Sequence, residues 1–141
     1  MTVTRIYVPL NASRLRSLDK SRALGEAPFL AHAVTEALRA ATTGVGQDEW
    51  EYAALSDAVR SSAALLTSGE TRRIVAAADV ESEVVGSAGP GTSIDESAVF
   101  ISEPVAFNRI ASFHVDGDNS SEDDELLWYD VTELPAILAL L

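Results

Sequence analysis

The chain has 141 residues, 47% of them hydrophobic and 23% charged, and a formal net charge of −12. Such a length forms one domain with a core of its own, and the composition is that of a folded chain. With no cysteine, disulfides, thiolate zinc sites, iron–sulfur clusters and cysteine nucleophiles are excluded, and 22 acids against 10 bases repel DNA, RNA and anionic lipid.

In chain order, Thr4 to Leu10 (TRIYVPL) alternates and is β-branched or aromatic, which predicts a strand. Asn11 is placed to cap a short helix over Ala12 to Leu18, with Leu15 and Leu18 inward. The bases Arg14, Arg16, Lys20 and Arg22 lie on or just beyond it; with no aromatic among them for base stacking, they read as a solvated face. FLAHAVT predicts a second strand running to Val34, and Thr35 an N-cap for EALRAAT. After the TTGVGQ loop, DEWEYAALSDAVRSSAALL places Tyr52, Leu55, Ala58, Val59, Ser62, Leu65 and Leu66 on one helical stripe. Asp48 and Glu49 favour its N-terminus, and its many alanines suit close packing on a sheet.

Arg72 to Val80 reads as a central strand, and Gly86 to Ser93 as a loop. Ala98 to Ser102 and Ile110 to Val115 predict two more strands, and ELLWYDV a last one. Thr132, Glu133 and Pro135 open a terminal helix. The sum is a single α+β domain over 1–141, a mostly antiparallel sheet of five or six strands with helices packed mainly on one face. No apolar run has the length of a bilayer span or a signal peptide, so the chain reads as soluble and cytoplasmic.

RIYVP, AHAVTEALR, EYAALSDAVRSS, RRIVAAADV, FHVD and ELLWYDVTEL, taken as an ordered set, resemble an uncharacterised family of small acidic actinobacterial proteins. The resemblance spans nearly the whole chain. It implies a single-domain cytoplasmic protein and carries over no catalytic residue.

Four constellations bear on function. FHVDGDNSSEDDELLWYD, aligned as a calcium loop, fits at Asp116 and Asp118 but has Ser121 where glycine belongs and Leu127 where a bidentate glutamate belongs. It reads as a charged hairpin connection, with at most a weak cation contact through Asp116, Asp118 and Asp123. If the strands carrying His32 and His114 were neighbours, these two with Asp79 and Asp116 would make a histidine–carboxylate metal or acid–base site. GSAGPG matches neither the nucleophile elbow nor a phosphate loop, and with Lys20 as sole lysine, Schiff-base chemistry has almost no candidate. Trp50 lies off the main stripe beside Glu49, Asp57 and Arg60, an aromatic among charges that suits partner binding. Trp128 and Tyr129, adjacent on a strand, point to opposite faces.

The leading expectation is therefore a non-enzymatic binding or regulatory module engaging a protein partner through Trp50, Glu49, Asp57 and Arg60, with no cofactor or metal, no nucleic acid and no membrane. The alternatives are a small hydrolase or metal-dependent enzyme using His114, Asp116 and Asp79, and an acidic decoy that mimics nucleic acid.

Overall fold

A computed structural model describes residues 2–87 and 95–141. Strand β1 (Val3–Leu10) leads through α1 (Ala12–Ser21), β2 (Ala23–Leu24) and β3 (Phe29–Ala33) to α2 (Glu36–Ala41) and α3 (Gln47–Leu65). Then come β4 (Ile74–Glu81), β5 (Val85–Ser87), β6 (Ala98–Ile101), β7 (Val105–Ala106), β8 (Ile110–Val115), β9 (Leu127–Asp130) and α4 (Leu134–Leu138). Seven strands form one sheet in the order β5-β6-β3-β1-β4-β8-β9, and every pairing in it is antiparallel. β2 and β7 pair apart from it.

The α+β class and all six expected strands are present. The seventh strand, β5, takes Gly86 and Ser87 out of the stretch read as a loop; the rest of that stretch, from 88, lies outside the described residues up to 94. Short strands leave little periodicity to detect, which is why β5 and the β2–β7 pair escape a sequence reading.

Alternation along the strands divides the core in two. Ile6, Val8, Leu10, Ile74, Ala76 and Ala78 face α1 and α4, meeting Leu15, Leu18, Leu134 and Ile137. Tyr7, Val75 and Ala77 face α2 and α3, meeting Leu38, Ala54 and Ala58. Most of the helical residues, in α2 and α3, thus cover one face, while the shorter α1 and α4 cover the other. Pro9 is tolerated in β1 because the ladder to β3 involves only Ile6 and Tyr7, and β1 pairs with β4 alone beyond them. Both predicted caps form: Asn11 Oδ1 accepts from Arg14 N at 2.8 Å, and Thr35 Oγ1 from Leu38 N at 3.0 Å.

The stripe expected on α3 holds at Ala58 and Ser62, but the helix is rotated away from its larger members. Its buried residues are Ala54, Asp57, Ala58 and Ser62; Leu55, Val59, Leu65 and Leu66 are half-buried, and Tyr52 is exposed. Small residues sit directly over the sheet because they let the backbone approach, and the larger apolar residues are displaced to the flank. Ser62 confirms that closeness, donating to the Leu10 carbonyl at 2.6 Å and accepting from Ile74 N at 2.8 Å.

Overpacking this seam should therefore hurt more than thinning its flank. Ala58→Leu is expected to cost about 1–3 kcal/mol. Leu55→Ala should fall at or below the low end, ~2 kcal/mol, of the usual range for a buried leucine. Urea titration of the two variants checks the order, and the reverse order would mean that leucine, not alanine, contacts the sheet.

Candidate functional site

The acidic stretch is organised from within by one arginine. Arg73, just before β4, and Asp116, just after β8, are both buried, and the guanidinium grips the carboxylate through Nε to Oδ2 and Nη2 to Oδ1, each at 2.8 Å. Asp116 Oδ2 also accepts from Arg73 N at 2.9 Å. The same guanidinium donates to the carbonyls of Glu122 (2.9 Å), Ser121 (2.8 Å) and Asp124 (3.0 Å). Its pKa is raised, first by the hydrogen bond to Asp116, so it stays charged. Arg72 takes Asp118 and the Asp116 carbonyl. Asp116 and Asp118 are thus each paired with an arginine, and the two pairs bind the loop to the start of β4.

The histidine–carboxylate site does not assemble. β1 and β4 lie between β3 and β8, which places His32 and His114 three strand spacings apart, about 14 Å. Asp79 pairs across strands with Arg5 (2.7 Å) at the other end of β4. Sheet order, which local periodicity does not encode, decides this. That pair, with Arg39, Gln47 and Glu51, lines an open cleft of about 550 Å³ whose arginines are both engaged, Arg5 by Asp79 and Arg39 over the Trp50 ring.

His32 instead centres a buried chain of polar groups beneath α3. Asp57 accepts from Ser97 Oγ at 2.7 Å, and Ser97 Oγ lies 2.8 Å from His32 Nδ1. His32 Nε2 lies 2.8 Å from Ser61 Oγ. An ionised carboxylate only accepts, so Ser97 donates to Asp57, His32 Nδ1–H donates to Ser97, and Nε2 is left to accept from Ser61. Burial lowers the His32 pKa, with Asp57 and Asp95 opposing, and the neutral ring is the form this pattern needs. Donor atoms of His32, Asp57 and Asp95 lie within 4.8 Å of one another, a separation that suits a metal ion. The Arg60 guanidinium bridges both carboxylates, however, and both ring nitrogens are engaged by serines, so the atoms a metal would need are already taken up by neighbours. The chain tethers α3 to β3 and to the turn before β6. Ser97 and Asp95 carry no motif, and only the fold places them here.

The residues expected to form a binding patch are largely spent on internal contacts. Trp50 is half-buried and donates Nε1–H to the Thr42 carbonyl at 2.9 Å. Glu49 accepts from Gly46 N at 2.9 Å at the start of α3, and Asp57 is buried under Arg60.

The other flank of α3 is different. Tyr52, Leu55, Val59, His114 and Leu126 line a groove of about 260 Å³, with Glu122, Asp123, Asp124 and Glu125 at its rim. Tyr52 donates to Glu125 Oε1 at 2.9 Å. On the end strand β9, Trp128 stands in register with His114 on this same face and is 62% exposed, while Tyr129 packs toward the opposite core.

Two consequences are measurable. Arg73→Met strands a buried carboxylate and frees the loop carbonyls; a loss of about 3–5 kcal/mol is expected by urea denaturation, and a near-neutral result would mean the pair is hydrated. His32 and His114 both have pKa values lowered by burial, with Arg5 also acting on His114. The unfolded chain then binds protons first, so their contribution is complete above pH ~6.5 and is lost as pH falls through the lower folded values, at no more than ~1.4 kcal/mol per pH unit each. Denaturation midpoints at several pH values below 7 should fall with acid, and His32→Gln should flatten that slope; an unchanged slope assigns it elsewhere.

No curated protein and no solved structure matches the chain. A family model described as a family of unknown function, DUF6912, matches residues 4–123, and the chain belongs to that family.

Proposed function

We propose that the protein is a non-enzymatic binding module that engages a cytoplasmic protein partner through an acidic, aromatic surface centred on Trp128. The observation that carries this reading is the exposure of Trp128, 62%, on the end strand of the sheet beside the carboxylate loop. Burying an indole is among the larger gains available to a folding chain, and tryptophan left in solvent is characteristic of interface anchors. Tyr52, 56% exposed, lines the neighbouring groove and adds a second exposed aromatic ring. Among the described residues no helix is long and apolar enough to cross a membrane. The net charge of −12 disfavours nucleic acid and anionic lipid as partners. With Trp50 committed to the α2–α3 connection, Trp128 takes its place as the anchor.

Capture from cell extract with wild-type protein and with Trp128→Ala tests the reading. The substitution is expected to change stability by no more than ~0.5 kcal/mol, as for a surface site, while removing whatever the wild type captures specifically. Trp50→Ala, by contrast, should destabilise the fold. Equal capture by wild type and Trp128→Ala would sink the proposal.

A further inference from the structure

We infer that the groove beside Trp128 receives a lysine or arginine side chain from an extended segment of the partner. The inference rests on the binding reading above and specifies the chemistry of what is bound. The groove sets half-buried Leu55, Val59 and Leu126 and the Tyr52 ring against four exposed carboxylates, Glu122, Asp123, Asp124 and Glu125. A long cationic side chain has the same profile in reverse, a methylene stem for the slot and a charged head for the rim. Neither a purely apolar nor an acidic side chain matches both parts.

The charge balance of the groove points the same way. Two of its own arginines line it, but Arg73 is neutralised by Asp116, and Arg60 by Asp57 and Asp95. Glu122, Asp123, Asp124 and Glu125 enter none of the ion pairs among the described residues. His114, which also lines the groove, has its pKa lowered by burial and adds no positive charge near pH 7. The four carboxylates therefore keep their negative charge with no paired cation, although Asp124 accepts from Ser121 N and Glu125 from Tyr52.

The site is also arranged before anything binds. Arg73 fixes the carbonyls of Ser121, Glu122 and Asp124, and Tyr52 holds Glu125, so little loop ordering remains to oppose association. The exposed Trp128 ring supplies an apolar surface for the segment to cross, and a face on which a second cation can rest. A second copy of this chain is the poorer occupant, because it would bring another net charge of −12 to an acidic rim.

The test is a titration of labelled protein, followed by amide and indole NMR shifts, with the capped pentapeptide Ser-Val-Arg-Val-Ser. Matched peptides carry lysine, norleucine or glutamate at the centre. The arginine and lysine peptides are expected to shift Tyr52, Leu126 and the Trp128 indole, and to bind at least about tenfold more tightly than norleucine at low salt. Affinity should fall as salt rises to about 0.15 M. The folded double variant Glu122→Gln/Asp123→Asn should lose most of that preference. Equal binding of the norleucine peptide, tighter binding of the glutamate peptide, or no shift at these residues would overturn the inference. So would a dimer at working concentration that Trp128→Ala dissolves, since the surface would then belong to a second copy. The two readings fail separately. If partner capture needs Trp128 but the peptides do not discriminate by charge, only the cationic side chain is lost. If the arginine peptide fills the groove while capture ignores Trp128, the binding module reading is the one that fails.

Discussion

The closeness of α3 to the sheet is the constraint on which the rest of this structure depends. Ala54, Ala58 and Ser62 recur at helical spacing, and the two alanines pack on Tyr7, Val75 and Ala77. With so little side chain between helix and strands, Ser62 reaches both central strands, bonding Leu10 O and Ile74 N. The helix is thereby fixed in rotation as well as in height. Its two flanks must then accept whatever the remaining positions carry, and those flanks are chemically opposite.

Toward β3 and β6 the flank carries Asp57 and Ser61, which meet His32, Ser97, Arg60 and Asp95. Polar groups brought this close to a sheet would be costly if unpaired, and each buried side-chain nitrogen and oxygen among the described residues has a partner. A chain of donors with one direction, ending on a carboxylate held by arginine, specifies a single arrangement more sharply than apolar packing does. Toward β8 and β9 the flank carries Tyr52, Leu55 and Val59, displaced from the seam because they are too large for it. They line the groove, and its far wall is the loop bound to Arg73. One seam of small residues thus yields a closed polar tether on one side and an open amphipathic slot on the other.

Strand content, the two helix caps and the antiparallel class were legible because each is written in local pattern: alternation in TRIYVPL, Asn11 and Thr35 ahead of apolar periodicity. The phase of α3 was not. An alanine-rich helix offers a large stripe and a small stripe one residue apart, and only the tertiary requirement for close approach selects the small one. That choice moved Tyr52 outward and Asp57 inward, and with them the expected binding patch. The polar tether was illegible for a different reason. His32 and Ser97 are 65 positions apart, and Asp57 and Ser97 are 40 apart, so no spacing signals them. Arg73 looked like the start of an apolar strand, and its burial follows from Asp116 arriving opposite it across β4 and β8.

The charge of the acidic stretch can be divided by what each carboxylate already does. Asp116 and Asp118 are matched by Arg73 and Arg72 and serve the fold. Glu122, Asp123, Asp124 and Glu125 have no such counterion, and they line a groove on the loop that leads into the end strand, where Trp128 is exposed. Charge beside an open edge has a recognised protective use, since it keeps like molecules from pairing strand to strand. Protection and recognition are not competing explanations here, because both follow from one electrostatic term. A rim that raises the energy of a second acidic chain lowers the energy of a basic one by the same Coulomb law. Solubility alone would be served by carboxylates on any exposed turn. Their position beside an apolar slot, on a loop held by a buried arginine, is what the proposed preference for a basic side chain rests on.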